Sequence, residues 1–290
     1  MSEKKWYDAL PRPEFSAWER IPVETEWFWV YKLPGEVYAI AEPGQWQEVI
    51  SFLVIGGSRA ALIDTGTGIG DIRAVVKELT LLPVFVINTH FHWDHTGGNW
   101  QFEECYNIQD PFVMEAAKNG VPHSRVASQI EGDALWQPLP AEFIPEEYCT
   151  KPWNSLPMKD GDEFDIGGRQ LRVVAAPGHT GDCVFIYDDL YRCLFTGDNI
   201  YPAPIYLHMG GGPYSGLSDI DAYAHSLREN ARYARRAERL FCSHNVPCCD
   251  TSLYFEILDG VERIQRGELP GDHQDGACEY KLARCSIITK

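Results

Sequence analysis

Residues 89–95 read Thr-His-Phe-His-Trp-Asp-His, so His90, His92, Asp94 and His95 fall within six consecutive positions. A lone histidine is commonly a satisfied core residue. Three histidines and an aspartate this close would each need a separate hydrogen-bond partner, and neutral imidazole and carboxylate are the ligands that a borderline ion such as zinc takes. Three later segments add donors of the same kind. Ala176-Pro177-Gly178-His179-Thr180 is a proline–glycine turn presenting His179. Phe195-Thr196-Gly197-Asp198 ends an apolar run at Asp198, and Phe241-Cys242-Ser243-His244-Asn245 ends another at His244. Singly, each of these reads as a turn or a loop. In this order behind the cluster, they point five of the nine histidines at one metal pocket.

Such donors need strand ends to carry them. Runs rich in Val, Ile, Tyr and Phe at 27–32, 37–41, 49–55 and 60–63, separated by Gly or Pro turns, predict sequential strands. Residues 70–80 have helical spacing (Ile72, Val75, Val76, Leu79), and 84–88 predict a buried strand that ends at the histidine cluster. This βαβ-like order puts the cluster at the carboxyl end of a strand, where α/β sheets carry ligands. Residues 109–155, with Pro138, Pro140, Pro145 and Pro152, predict a helical and irregular insertion or lid. Strands are expected at 170–175, 184–187, 191–195 and 240–242, and helices at 220–236 and 253–266. One or two edge strands are expected at 279–288, in a short C-terminal extension. Strands followed by a helix occur twice, which suggests one domain over residues 1–290 with two packed sheets and helices outside. The aromatic, glycine-rich stretch 205–217 predicts a loop over the pocket, with His208 as an extra polar group. No Lys-Ser/Thr follows its glycines, which argues against a phosphate cradle. Trp93 and Trp136 are candidate pocket walls, while His123, His225 and His273 read as surface or core residues.

Composition narrows the partners. The net charge of −17, from 42 acidic against 25 basic residues, repels phosphate backbones, so no nucleic acid is expected. The one basic cluster, 228–239, alternates with Glu229 and Glu238 as a solvated helix face would. The start, Met-Ser-Glu-Lys-Lys-Trp, has no apolar run behind it, and no stretch is long enough to span a bilayer. A cytoplasmic protein with a small-molecule substrate and no membrane partner is expected, and a homodimer is compatible with the sequence. Nine cysteines without a Cys-x-x-Cys pair read as reduced thiols; Cys248 and Cys249, close behind His244, are placed to lie near the metal.

The His-x-His-x-Asp-His string at His90–His95, followed by His179, Asp198 and His244, resembles the metallo-β-lactamase-fold hydrolase superfamily. The resemblance implies an α/β (α+β) fold, a four-layer αββα sandwich, with a two-metal site between the sheet edges. By that pattern His90, His92 and His179 would hold the first metal. Asp94, His95 and His244 would hold the second, with Asp198 bridging and Asp64 supporting the ligand shell. Two Zn(2+) per chain are implied, with Fe, Mn or Co as alternatives. Ions about 3.5–4 Å apart can share a water and lower its pKa toward neutrality, with Asp94 orienting the resulting hydroxide and passing a proton to the leaving group.

Within the superfamily, zinc β-lactamases usually carry cysteine where this chain has Asp198, and diiron flavoproteins carry glutamate where it has His92. The RNA-contact signatures of the processing nucleases, and the C-terminal basic residues of the thioester hydrolases that act on glutathione conjugates, are not found in this chain. Tyr201, three positions after Asp198, stands where lactonases of the superfamily aim a tyrosine at the substrate carbonyl; it reads either as an oxyanion donor or as packing. The expectation is a dinuclear zinc hydrolase of a small ester, lactone or phosphotriester, with Asp94 and Tyr201 as catalytic residues. The alternatives are a mononuclear-iron sulfur dioxygenase, a zinc β-lactamase-like amide hydrolase, or metals that only staple the fold.

Overall fold

A computed structural model describes residues 5–274 and 276–290. The reading of a start without a leader falls largely on residues 1–4, outside them. The first half of the chain forms an eight-stranded sheet in sequence order: β1 (Glu19–Ile21), β2 (Trp29–Leu33), β3 (Val37–Ala41), β4 (Ile50–Ile55), β5 (Ala60–Ile63), β6 (Val84–Ile87), β7 (Cys105–Ile108) and β8 (Ser155–Met158). Neighbours are antiparallel as far as β5 and parallel beyond it. The switch comes where helix α1 (Ile72–Leu79) makes the crossover from β5 to β6. Asp71 caps α1 by accepting from the Ala74 N–H at 2.9 Å, and Ile72, Val75 and Val76 form its buried face. The single turn α2 (Trp93–Thr96) follows β6, and α3 (Pro111–Asn119) and α4 (His123–Val126) lie in the long connection to β8.

The second half begins with β9 (Glu163–Asp165), β10 (Gln170–Ala175), β11 (Val184–Asp188) and β12 (Cys193–Phe195). Then come β13 (Pro204–Leu207), the hairpin β14 (Gly210–Gly212) and β15 (Gly216–Leu217), α5 (Ile220–Arg236), β16 (Arg239–Phe241) and α6 (Ser252–Gln265). The chain closes with β17 (Asp272–Gln274), β18 (Ala277–Lys281) and β19 (Ser286–Thr289). The second sheet runs β16-β12-β11-β10-β9, and a smaller sheet runs β13-β19-β18-β17.

Three apolar cores define four layers. Between the sheets, Phe52 of β4 meets Phe195 of β12 and Phe241 of β16 at ring-centroid distances of 5.4 and 5.6 Å. One outer core packs α1 and α3 on the first sheet, and the other packs α5 and α6 on the second. Burial of this apolar surface is what holds the layers together. A buried ion pair also ties the sheets: Arg169 Nε donates to Asp188 Oδ2 at 2.7 Å, and Arg169 Nη1 donates to the Gly35 and Ile55 carbonyls at 2.7 and 2.9 Å.

The structure adds strands that the sequence does not announce. β7, β8 and β9 have three or four residues each, too few for alternation to stand out. The stretch 205–217 is part of strand β13 plus a glycine hairpin rather than a bare loop, and β19 pairs with β13, and β18 with β19, instead of edging a main sheet. Among the described residues, no helix is long and apolar enough to cross a membrane. All nine cysteines are free thiols.

Candidate metal centre

Every candidate ligand lies just past the carboxyl end of a strand, on the seam between the two main sheets. His90 and His92 follow β6, and Asp94 and His95 ride on α2; His179 follows β10, Asp198 follows β12, and His244 follows β16. Four donors therefore come from the first sheet and three from the second. They form two adjoining groups, His90–His92–His179–Asp198 and Asp94–His95–His244, each with its donor atoms within 4.8 Å of one another. Asp198 stands between them. Its Oδ2 is 3.8 Å from His90 Nε2 and 3.5 Å from His179 Nε2, and its Oδ1 is 3.0 Å from His95 Nε2 and 2.9 Å from His244 Nε2.

The outward nitrogen of each ring fixes the tautomer. His179 Nδ1 donates to the Tyr206 carbonyl at 2.7 Å, His244 Nδ1 to the Gln47 carbonyl at 2.8 Å, and His92 Nε2 to the Ser215 carbonyl at 3.0 Å. His95 Nδ1 donates to Asp64 Oδ2 at 2.8 Å. The Thr89 hydroxyl gives its proton to Asp64 Oδ2, so it accepts from His90 Nδ1 at 3.2 Å. Carbonyls and carboxylates only accept, so the neutral rings turn lone pairs inward. Those inward nitrogens meet at 3.0 Å (His179 Nε2 to His92 Nδ1) and 3.2 Å (His95 Nε2 to His244 Nε2). His90 Nε2 is buried with no hydrogen-bond partner. An orphaned imidazole nitrogen beside further imidazoles and a carboxylate, all turned into one buried pocket, is stable around a cation, so the donor set fits divalent metal.

The two groups differ in how they hold protons. Burial lowers His90, His92 and His179, the last to about 4, so the first group presents bare nitrogens at neutral pH. Burial would also lower His95 and His244, but the carboxylates of Asp198 and Asp94 outweigh it and raise both. Burial works to raise Asp198, yet His244, His95 and His90 hold it well below the usual carboxylate range; for Asp94 burial wins and raises it. A metal held by the second group would therefore have to displace protons from these rings.

Backbone conformation sets these side chains. Asp64 sits at φ 60° just past β5 and accepts from Thr89 N–H and the Thr89 hydroxyl as well as from His95. Gly197, at φ 50°, has no Cβ to strike Thr89, which would lie 2.8 Å away, so the β12 end approaches the histidine string closely. The outward acceptors Gln47, Tyr206 and Ser215 were not legible in the sequence, because a backbone carbonyl carries no side-chain signature.

The remaining candidates are placed differently. Tyr201 is buried, its ring 5.1 Å from that of His244, and its hydroxyl donates to the Pro204 carbonyl at 2.5 Å. Its proton is committed to the backbone rather than to the space between the ligands. Trp93 packs on Tyr148, and Trp136 stacks on Tyr7 and bonds the Pro43 carbonyl. His208 Nδ1 is buried without a partner. Cys248 and Cys249 join neither donor group.

Comparisons with known proteins agree with this geometry. The chain is 28% identical over 188 residues to the acyl-coenzyme A thioesterase MBLAC2 of Gallus gallus, covering 61% of this chain and 66% of that protein. It is also 28% identical over 187 residues to the atrochrysone carboxyl ACP thioesterase of Aspergillus chevalieri, covering 63% and 47%. The match thus spans less than two thirds of these relatives' own lengths. The fold is similar to that of DIM-1 metallo-beta-lactamase (TM-score 0.55, 16% identity, 83% of this chain and 100% of that one). It is also similar to the sec-alkylsulfatase Pisa1 from Pseudomonas sp. (TM-score 0.60, 18% identity, 82% and 42%). The family model described as metallo-beta-lactamase superfamily matches residues 44–244, a span that holds all seven donors and both main sheets' ligand-bearing ends, and the chain belongs to that superfamily.

Proposed function

We propose that this chain is a metal-dependent hydrolase of a small acyl thioester or ester, with one divalent ion in each donor group. The observation that carries the reading is the convergence of five inward imidazole nitrogens and two carboxylates on one buried pocket. Thioester chemistry comes from the names of the similar proteins, an acyl-coenzyme A thioesterase and an ACP thioesterase. The sequence alone points to a small ester, lactone or phosphotriester, and among thioester hydrolases it argues against those that act on glutathione conjugates. Zinc suits this nitrogen–oxygen set, and Fe, Mn or Co would accept the same donors.

In this reading His90, His92 and His179 hold the first ion, Asp94, His95 and His244 the second, and Asp198 faces both. When bound, such ions polarise a carbonyl oxygen and lower the pKa of a water toward neutrality. The chain supplies the rest. Fixed tautomers keep the rings from turning, and the seam between the sheets shields the donors from bulk water. Asp94 Oδ2 lies 3.5 Å from His95 Nε2 and 3.7 Å from His244 Nε2. Raised by burial, that carboxylate is suited to take a proton from the attacking water and hand it to the leaving sulfur or oxygen. No contact favours a lactone or phosphotriester over a thioester, since the Tyr201 hydroxyl is donated to Pro204.

The test is elemental analysis of the purified chain together with a panel of acyl thioesters, p-nitrophenyl esters, lactones, phosphotriesters and β-lactams. Two zinc ions per chain and thioester turnover, lost in Asp94→Ala and His92→Ala with the fold retained, are expected. Full activity in either variant rejects the mechanism, and one iron with oxygen consumption replaces it with the dioxygenase.

A further inference from the structure

We propose that Arg12 and Gln45, neither of them a metal donor, are positioning residues that clamp His244 through the loop joining β3 to β4. The His244 Nδ1–H is held by the Gln47 carbonyl at 2.8 Å, so the ring is only as well placed as Gln47. Gln47 is fixed in turn by Gln45, whose Oε1 accepts the Gln47 N–H at 2.8 Å. Gln45 is fully buried, and its Nε2 donates to the Gln129 carbonyl at 2.8 Å, inside the 109–155 insertion. Three short hydrogen bonds in series therefore run from the insertion to a metal donor.

The other side of the loop is anchored from the N-terminal segment. Arg12 Nε and Nη2 donate to Glu48 Oε2 and Oε1, both at 2.6 Å, a fork that fixes the carboxylate in plane. Glu48 Oε1 also accepts from Asn245 Nδ2 at 3.2 Å, and the Asn245 N–H donates to the Glu48 carbonyl at 3.2 Å, next to His244. Val49 bridges His244 itself. Glu48 is buried and held at φ 49°, a conformation that costs a glutamate more than it costs Asn245 at φ 63°, so the Glu48 side of this contact needs outside support. Arg12 lies outside residues 44–244, which the family model matches.

The inference rests on the two-ion reading and is tested on the full chain. Stripped of metal by dialysis, it is titrated with zinc alone against a chromophoric chelator. Arg12→Ala and Gln45→Ala are expected to keep the first ion and to bind the second about 10-fold more weakly, the lower end of what a ligand's outer partner is worth. In ring 1H–15N spectra the His244 Nδ1–H should exchange faster with solvent in both variants. Arg12→Lys, which keeps the charge but not the fork, should fall between, and it carries the test together with Gln45→Ala if Arg12→Ala does not fold. Arg228→Ala, an exposed partner of Glu262, is the control and should match wild type. Unchanged second-ion affinity and unchanged His244 Nδ1–H protection in both variants overturn the clamp. A wild-type chain that takes fewer than two ions sinks the two-ion reading instead, and the exchange of the His244 Nδ1–H in the metal-free chain then decides the clamp by itself.

Discussion

Replacing Asp64 by asparagine exchanges one oxygen for an amide nitrogen and leaves the backbone in place, since asparagine tolerates the left-handed φ of 60° found there. Asp64 Oδ1 accepts from the Thr89 N–H at 2.7 Å, and Oδ2 accepts from the Thr89 hydroxyl at 2.7 Å and from His95 Nδ1 at 2.8 Å. The Thr89 N–H keeps the amide oxygen on its side, so the new NH2 faces His95 Nδ1. His95 must then move its proton to Nε2, the nitrogen aimed at the second donor group. The Thr89 hydroxyl, now an acceptor from the amide, turns its own proton toward His90 Nδ1, 3.2 Å away, and drives the same exchange in the first group. Loss of one outer partner typically weakens metal binding about 10–100-fold. Each group should lose about 1.4–2.8 kcal/mol of zinc affinity, at 1.4 kcal/mol per tenfold. Zinc competition would measure the loss, and ring 15N shifts would report the two tautomers. Wild-type zinc affinity at both groups, with the proton still on His95 Nδ1, would refute the reasoning.

Three further outcomes are expected. Burial pushes the Glu42 carboxyl from 4.5 to about 7, although Thr67 and Trp27 donate to it. A folded pKa above the unfolded one stabilises the chain fully below about pH 4.5 and loses that contribution as pH rises through about 7, by about 3 kcal/mol at most. Denaturant midpoints of the metal-free chain should therefore fall from pH 5 to pH 8, and Glu42→Gln should flatten the slope; an identical slope in that variant rules out Glu42 as its source. Arg169→Ala leaves Asp188 buried without its partner and should destabilise the fold by about 3–5 kcal/mol with zinc stoichiometry unchanged. A denaturant midpoint close to wild type would show the pair to be dispensable. Tyr201→Phe should keep turnover near wild type, whereas removing a true oxyanion donor lowers it by about 100-fold or more, and a loss of that size would return Tyr201 to catalysis.

The seven candidate donors were legible because side chains carry them and the dense string at His90–His95 gives the later, individually weak segments at His179, Asp198 and His244 a common meaning. The helices at 72–79 and 220–236 were legible for a related reason: an amphipathic stripe repeats over several turns. Short strands such as β7 and β9 gave no alternation to read, and the partners of β13 are set by tertiary pairing with β19, more than eighty residues away. The role of Tyr201 could not be read from spacing, because it turns on whether one hydroxyl points to a substrate or to the Pro204 carbonyl. The clamp on His244 was invisible for the same reason, since Gln45 and Arg12 belong to no motif and matter only through what they touch.

Each donor group draws on both main sheets: His90 and His92 face His179 and Asp198, and Asp94 and His95 face His244. An ion held there sees its full set of ligands only when the two halves of the chain are docked face to face. On the proposed two-ion reading, the folding equilibrium of this protein contains the free-metal concentration as a variable. An ion at 100 times its dissociation constant would add about 2.7 kcal/mol to the docked state. A chain made in metal-poor medium and one made in metal-replete medium would then be, thermodynamically, two proteins of different durability with one sequence.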